Sequence, residues 1–177
     1  MTIFIAGIHG VGKTYLAKPA ADRVGLRYAT ASHLIREERG HASWDAAKKV
    51  DEVADNQSAL IKAVARINAS GQTLLLDGHL VLRKAVGEHE RLPDVVFRDL
   101  GCNAIILLTC PVPTVLKRLS ARGDVSWSEL EIGHFANAEH EHAEMVASAL
   151  HIPLSILNAP TDDEFDSTLR HLLALDK

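Results

Sequence analysis

The residues Gly7-Ile8-His9-Gly10-Val11-Gly12-Lys13-Thr14 satisfy the spacing G-x-x-x-x-G-K-[ST] in full, and that combination of residue types has a definite chemistry. Glycines at 7, 10 and 12 allow a turn to direct its N–H groups inward without Cβ clashes. The result is a concave anion nest at the N-terminus of a following helix. From such a position Lys13 reaches the β- and γ-phosphates of a nucleoside triphosphate, and the Thr14 hydroxyl holds Mg²⁺. The expected ATP-binding residues are Gly7, His9, Gly10, Val11, Gly12, Lys13, Thr14 and Tyr15, with ATP and Mg²⁺ as cofactors. The plain alternative is a glycine-rich strand-to-helix turn that binds nothing, and the complete pattern in a strand-then-helix context argues against it.

Two other groups could act with this loop. Leu74-Leu75-Leu76-Asp77 reads as a buried strand that delivers a carboxylate to its C-terminal end, where Asp77 can share the metal with Thr14. A strand-end Asp that merely caps the next turn is the competing reading. In Lys117-Arg118-Leu119-Ser120-Ala121-Arg122-Gly123, Arg118 and Arg122 lie four apart and share one helix face. Two guanidinium groups there suit a transferring phosphoryl, whose charge is spread over several oxygens. A solvated basic helix end is the alternative for that pair. The expected catalytic set is therefore Lys13, Asp77, Arg118 and Arg122.

These groups need a scaffold, and short apolar runs alternating with longer helical stretches supply one. Strands are expected at Thr2–Ala6, Leu26–Thr30, Thr73–Asp77, Asn103–Thr109 and Pro153–Leu157, each of the kind buried on both faces of a parallel sheet. Helices are expected at Lys13–Val24, Ser32–Arg39, about Trp44 to Ala69, Pro113–Arg122, Ser128–Leu150 and Asp162–Leu175. Ser126-Trp127-Ser128-Glu129 and Thr161-Asp162-Asp163-Glu164 both have capping-box spacing. The polar stretch Gly78–Leu92 reads as a substrate-side loop, and Gly123–Trp127 as a small mobile cover with an exposed Trp127.

In order and spacing, Gly7–Thr14, Ser32-His33-Leu34-Ile35-Arg36, Leu76-Asp77-Gly78-His79 and Arg118–Gly123 resemble the P-loop nucleoside monophosphate kinases, nearest the archaeal-type adenylate kinases. The likeness runs over nearly the whole chain, although only the phosphate loop is highly specific. It implies an α/β fold of three layers, α/β/α, with a five-stranded parallel sheet in the order 2-3-1-4-5. Residues 1–177 would form one kinase-like domain, with acceptor-side helices at about 31–70 and a short lid at about 118–130. The resemblance places the acceptor's phosphate on Arg36 with Ser32 nearby, aligns Asp77, Gly78 and His79 with the family's post-strand step, and matches Arg118 and Arg122 to the lid arginines. Three departures stand out. His9 occupies a position where these kinases usually carry Pro, and the Gly-Phe-Pro-Arg run is missing, so Arg83 is only a stand-in for the second acceptor-side cation. After Arg122 the next arginine is Arg170.

Composition narrows the field. With 177 residues, 47% hydrophobic and 24% charged, the chain has the make-up of an ordinary globular protein of about one domain. No apolar run approaches the roughly 20 residues of a membrane span. The N-terminus lacks a basic stretch and a cleavage-site pattern, so the cytoplasm is the expected location. Residues 1–100 carry 14 basic and 12 acidic side chains and residues 101–177 carry 5 and 11. With a pI near 6.2, extended nucleic acid is an unsuitable partner, and a small anion gripped by a few placed cations suits better. Cys102 and Cys110 flank one strand and are expected as reduced thiols. His134, His140 and His142 with Glu139, Glu141 and Glu144 are expected to form a solvated acidic face, because positions 140 and 142 point about 200° apart on a helix.

The function expected is ATP-dependent transfer of the γ-phosphate to a small acceptor, with a nucleoside monophosphate first in line. Open beside it are an ATPase or switch that acts with a protein partner, a kinase of a non-nucleotide metabolite, and a nucleotide-holding module without turnover.

Overall fold

The computed structural model describes residues 1–40 and 52–175. Its centre is β1 (Thr2–Ala6), every residue of which is buried. Such a strand must be covered on both faces and paired on both edges, and it is: β3 (Leu74–Asp77) and β6 (Cys102–Thr109) flank it in parallel. β2 (Arg27–Thr30) and β7 (Leu154–Asn158) complete a five-stranded parallel sheet in the order β2-β3-β1-β6-β7. This is the expected 2-3-1-4-5 once the two strands of a separate hairpin are set aside.

Helices cover both sides. α1 (Lys13–Val24) and α7 (Asp162–Ala174) pack on each other at one face, while α3 (Glu52–Ala69), α4 (Asp94–Asp99) and α6 (Glu129–Leu150) pack at the other. α2 (Ala31–Arg39) lies against α3, and α5 (Val112–Ala121) against α6. The helix expected to begin near Trp44 is seen from Glu52 onward, and residues 44–51 lie outside the described residues. Phe4 and Phe97 meet edge to face at 5.3 Å between centroids and join α4 to the sheet.

Local chemistry explains the ends of these elements. Thr161 and Glu164 form the full capping box: the Thr161 hydroxyl accepts from the Glu164 N–H, and the Glu164 carboxylate accepts from the Thr161 N–H. The other box is displaced. Ser128, not Ser126, caps α6 by accepting from the Glu131 N–H at 3.1 Å, and Ser126 donates its hydroxyl to Asp124. The Glu131 carboxylate is drawn elsewhere, as described below.

Two further expectations change, and one element is new. Gly78–Leu92 is not a plain loop, because β4 (Val81–Ala85) and β5 (Glu88–Arg91) form an antiparallel hairpin turning on Val86-Gly87. Gly87 takes φ 76°, a left-handed conformation that glycine adopts without a Cβ penalty. Trp127 is 9% exposed rather than open to solvent. Helix α4 had no expectation at all. Among the described residues, no helix is long and apolar enough to cross a membrane.

The Phe4–Phe97 contact predicts a large cavity cost, because Phe97 is fully buried. Phe97→Ala should lower the unfolding free energy by about 3–5 kcal/mol, read by urea denaturation.

Candidate active site

The turn after β1 is built by close backbone approach. Gly7 has φ 134°, and a Cβ there would lie 2.5 Å from the Leu108 carbonyl oxygen, so only glycine fits. The turn then feeds α1, whose N-cap Gly12 is left-handed. The Lys13 ammonium folds back under the loop and donates to the Gly7 carbonyl at 2.6 Å, with the Ile8 carbonyl at 3.4 Å. Asp77 Oδ1 lies 3.9 Å away. Burial pushes the Lys13 pKa down, and the charges of Asp77 and Glu139 act against that.

The sheet order puts Asp77 in register with Ile5, at the mouth of the loop. Its Oδ2 accepts from the Thr14 hydroxyl at 2.9 Å and from the Tyr28 hydroxyl at 2.8 Å. Thr14 and Asp77 thus present a hydroxyl and a carboxylate side by side, a hard oxygen set suited to Mg²⁺. Tyr28 was not anticipated. Only the pairing of β2 beside β3 brings it to Asp77, and the sole clue in the chain is its place on the second strand.

A cleft of about 1070 Å³ runs from the loop to the hairpin. Several expected residues meet there: His9, Gly10, Gly12, Lys13, Thr14, Tyr15, Ser32, Asp77, His79, Arg83 and Arg122 all line it. Asn56 and Gln57 of α3 line it too, although nothing in the chain singled them out. Arg36 is exposed and donates Nε to the Ser32 carbonyl at 3.2 Å. Arg118 is turned to the loop itself, where Nη1 donates to the Gly10 carbonyl at 3.2 Å and the Val11 carbonyl at 2.9 Å. The Arg118–Arg122 pair therefore does not converge on one point: the first braces the loop and the second faces the cleft.

Arg83 is likewise engaged. Its guanidinium lies 3.8 Å over the Trp127 ring, pairs with the Glu131 carboxylate at 2.7 and 3.0 Å, and donates to the Ser126 carbonyl at 2.9 Å. This latch joins the hairpin to the cover at 123–127 and explains why Trp127 is buried. Trp127 Nε1 in turn donates to Asp124 at 3.0 Å. Beneath it His9 packs 4.3 Å from His79, and Phe135 stacks with Trp127 at 5.5 Å.

The acidic face expected on the last long helix is in part an interior face. Glu139 is 1% exposed, and its carboxylate accepts from the N–H groups of Gly7, Leu80 and Val81 at 3.0, 3.0 and 2.8 Å. Burial raises its pKa, and those donors and Lys13 pull the other way. His142 is buried as well, with Nε2 2.6 Å from the Leu92 carbonyl oxygen. The signal in the chain was the spacing 131, 135, 139, 142, which puts four residues on one side of a helix. Glu141 and Glu144 remain exposed, and no group of three or more potential metal ligands gathers among the described residues.

A parallel sheet in this order, with a glycine-rich loop, a lysine, a hydroxyl and a strand-end carboxylate at its C-terminal edge, defines the P-loop kinase class. Comparison with known proteins agrees: the chain belongs to the AAA domain family, whose profile matches residues 6–131. A protein of Methanocaldococcus jannaschii named "Putative adenylate kinase" is 28% identical over 123 residues, which cover 70% of this chain and 59% of that protein. Among solved structures, the shikimate kinase of Acinetobacter baumannii in complex with shikimate aligns with a TM-score of 0.65 at 14% identity, covering 99% of this chain and 94% of that one. An unliganded sugar kinase of Janibacter sp. aligns with a TM-score of 0.59 at 16% identity, covering 98% and 94%. At such identities the two structures speak for the fold.

The packed histidines generate a pH prediction. Burial, with repulsion from Lys13, lowers the His9 pKa from 6.5 to about 4, and His79 is lowered well below 6.5 mainly by burial. Between those values the folded state binds fewer protons than the unfolded state, so stability rises with pH. Urea denaturation at a series of pH values should show the unfolding free energy falling as pH drops from 6.5 towards 4, with a shallower slope in His9→Gln.

Proposed function

We propose that this chain is an ATP-dependent phosphotransferase that moves the γ-phosphate to a small acceptor, a nucleoside monophosphate being the first candidate. The observation that carries the reading is one continuous cleft joining two kinds of wall. At one end stand Lys13, Thr14 and Asp77 beneath the glycine-rich loop, and at the other lie Ser32, Asn56, Gln57 and the hairpin, with room for a second molecule. A pure triphosphate pocket would need only the first end.

In this reading the loop N–H groups and Lys13 receive the triphosphate, and Lys13 exchanges the Gly7 carbonyl for phosphate oxygens. Thr14 and Asp77 would hold Mg²⁺, which supplies charge neutralisation along the phosphates. Tyr28 keeps Asp77 aimed at that position by its hydrogen bond. Arg122 is the cation placed to face the transferring group, and Arg118 acts by stiffening the loop. Ser32 lies on the acceptor wall; Arg36 would serve the acceptor's phosphate only after leaving the Ser32 carbonyl. His79 and Arg83 line the acceptor side without an open charge, because His79 is held neutral by burial and Arg83 is committed to Glu131. Any closing of the cover at 123–127 over the cleft, which would exclude water, has to carry the hairpin with it, because Arg83 fastens the two.

The relative named "Putative adenylate kinase" favours a nucleotide acceptor. The hairpin, which adds Lys84 and Glu88 to the cleft wall, favours a non-nucleotide metabolite as the second reading, in keeping with the shikimate and sugar kinases that share the fold. The commitment of Arg118 and Arg83 to structural contacts leaves few cations for the reacting group and favours an ATPase or switch.

Lys13→Ala should lower turnover by at least about 100-fold, since it removes a preorganised charge at the transferring phosphoryl, with the far-UV spectrum unchanged. Retained turnover in a folded variant refutes the role of Lys13. ADP release measured across nucleoside monophosphates and hydroxylated metabolites decides among the acceptors: release should appear only with one class of acceptor added, and equal release without any acceptor would make the chain an ATPase.

A further inference from the structure

The inner face of α6 is a ruler laid along the site. Glu131, Phe135, Glu139 and His142 fall within an arc of about 80° at 100° per residue, so all four can address one surface. The outer two hold the ends of the hairpin. Glu131 takes Arg83 and the Gly87 N–H at the turn, and His142 meets the Leu92 carbonyl where β5 runs out.

Glu139, between them, does something different, because its two oxygens serve two parts of the chain at once. Oε1 accepts from both Gly7 and Leu80, and Oε2 accepts from Val81. Gly7 is the first residue of the phosphate loop, and its carbonyl accepts from Lys13 at 2.6 Å. Leu80 and Val81 are the root of the hairpin, and both are fully buried. A buried carboxylate with three N–H donors cannot release one of them to water without leaving it unpaired, so the three segments must move together.

We propose that Glu139 is a positioning residue that sets the posture of the phosphate loop from the posture of the hairpin, so that a molecule seated against the hairpin is felt at Gly7 and Lys13. The consequence for catalysis rests on the phosphotransfer reading, and the contact itself does not. Phe135 reinforces the same link: it packs against His79 just ahead of β4, against His89 of β5, and against His9 of the loop.

Glu139→Gln tests this with little change of shape. A glutamine can offer its oxygen to Gly7 and Leu80 or to Val81, and its NH₂ then faces an N–H. Glu131→Gln loosens the turn end of the hairpin, eight residues or about 12 Å along α6 from the Glu139 contact. The full chain is examined by amide hydrogen exchange and by calorimetric titration with the β,γ-imido analogue of Mg-ATP. In Glu139→Gln, exchange at Gly7, Leu80 or Val81 should quicken about tenfold while Ile3 and Ile5 in β1 keep their rates. The analogue should bind about fivefold more weakly to Glu139→Gln. Glu131→Gln should also weaken binding in the wild-type background and add nothing in the Glu139→Gln background.

Faster exchange with unchanged affinity, or strictly additive effects, makes Glu139 a structural brace only and overturns the proposal. Unchanged exchange overturns it as well. Should Glu139→Gln fail to fold, the wild type decides: the analogue should slow exchange at Leu80, Val81 and Gly87, and a response confined to residues 7–15 refutes the coupling. A wild-type chain that binds no analogue refutes the phosphotransfer reading and the proposal together, whereas equal binding by wild type and Glu139→Gln removes only the role of Glu139.

Discussion

An ammonium group that is almost fully buried must be answered by opposite charge or by carbonyl dipoles, and the architecture around Lys13 is organised by that need. The Gly7 and Ile8 carbonyls lie within 3.4 Å of it and Asp77 within 3.9 Å, and these partners come from the loop that leaves β1 and from the end of the adjacent strand β3. Asp77 can be there only because β3 runs beside β1 in parallel with Ile5 opposite Asp77. Asp77 is in turn held by Thr14 and by Tyr28, which requires β2 to be the next strand out. The sheet order is therefore part of the site's electrostatics. A triphosphate would replace carbonyl dipoles by full negative charge, so the same buried lysine that is only adequately satisfied in the free chain is poised to bind an anion.

The second organising feature is the way arginines are used. Cations placed near a phosphate loop invite the reading that they touch phosphate, yet two of them complete the scaffold. Arg118 ties α5 to the loop carbonyls, and Arg83 ties the hairpin to the cover through Trp127, Ser126 and Glu131. A guanidinium has five donors in a rigid fork, which suits it to bridge several acceptors on different segments. The hairpin wall of the cleft gains rigidity in exchange for charge. The cleft is walled by a hairpin gripped along its length by α6, an arrangement stiffer than a loop. The same latch fastens the short cover at 123–127 to the hairpin, so the two share one mechanical element.

Much of this was legible in the chain. The phosphate loop, the strand-end Asp77, the five-stranded parallel sheet and the capping box at Thr161 all follow from contiguous residues, where local sterics and short-range hydrogen bonds decide the outcome. The hairpin escaped notice because Val86-Gly87 is a poor turn signal and its strands are rich in charge. In β4 and β5 the polar side chains that suggested a loop are paired across the ladder or with α6, as in Lys84–Glu90 and Arg91–Glu141. The cap of α6 slid by two residues because Ser126 and Asp124 satisfy each other, freeing Ser128 to serve as the N-cap.

What the sequence by itself determined is therefore the chemistry of the loop and the class of fold: glycine spacing, a following Lys-Thr and buried apolar runs admit few alternatives, since each acts through neighbours along the chain. What only the tertiary structure decided is which charged side chains work inside the site and which hold it together. Glu139, Glu131 and Tyr28 carry no signal of their own in the chain, and Arg83 and Arg118 read as phosphate-binding cations, until segments far apart in sequence come together. The cost of burying a charge depends on donors and acceptors supplied by those distant segments, and no local pattern encodes them.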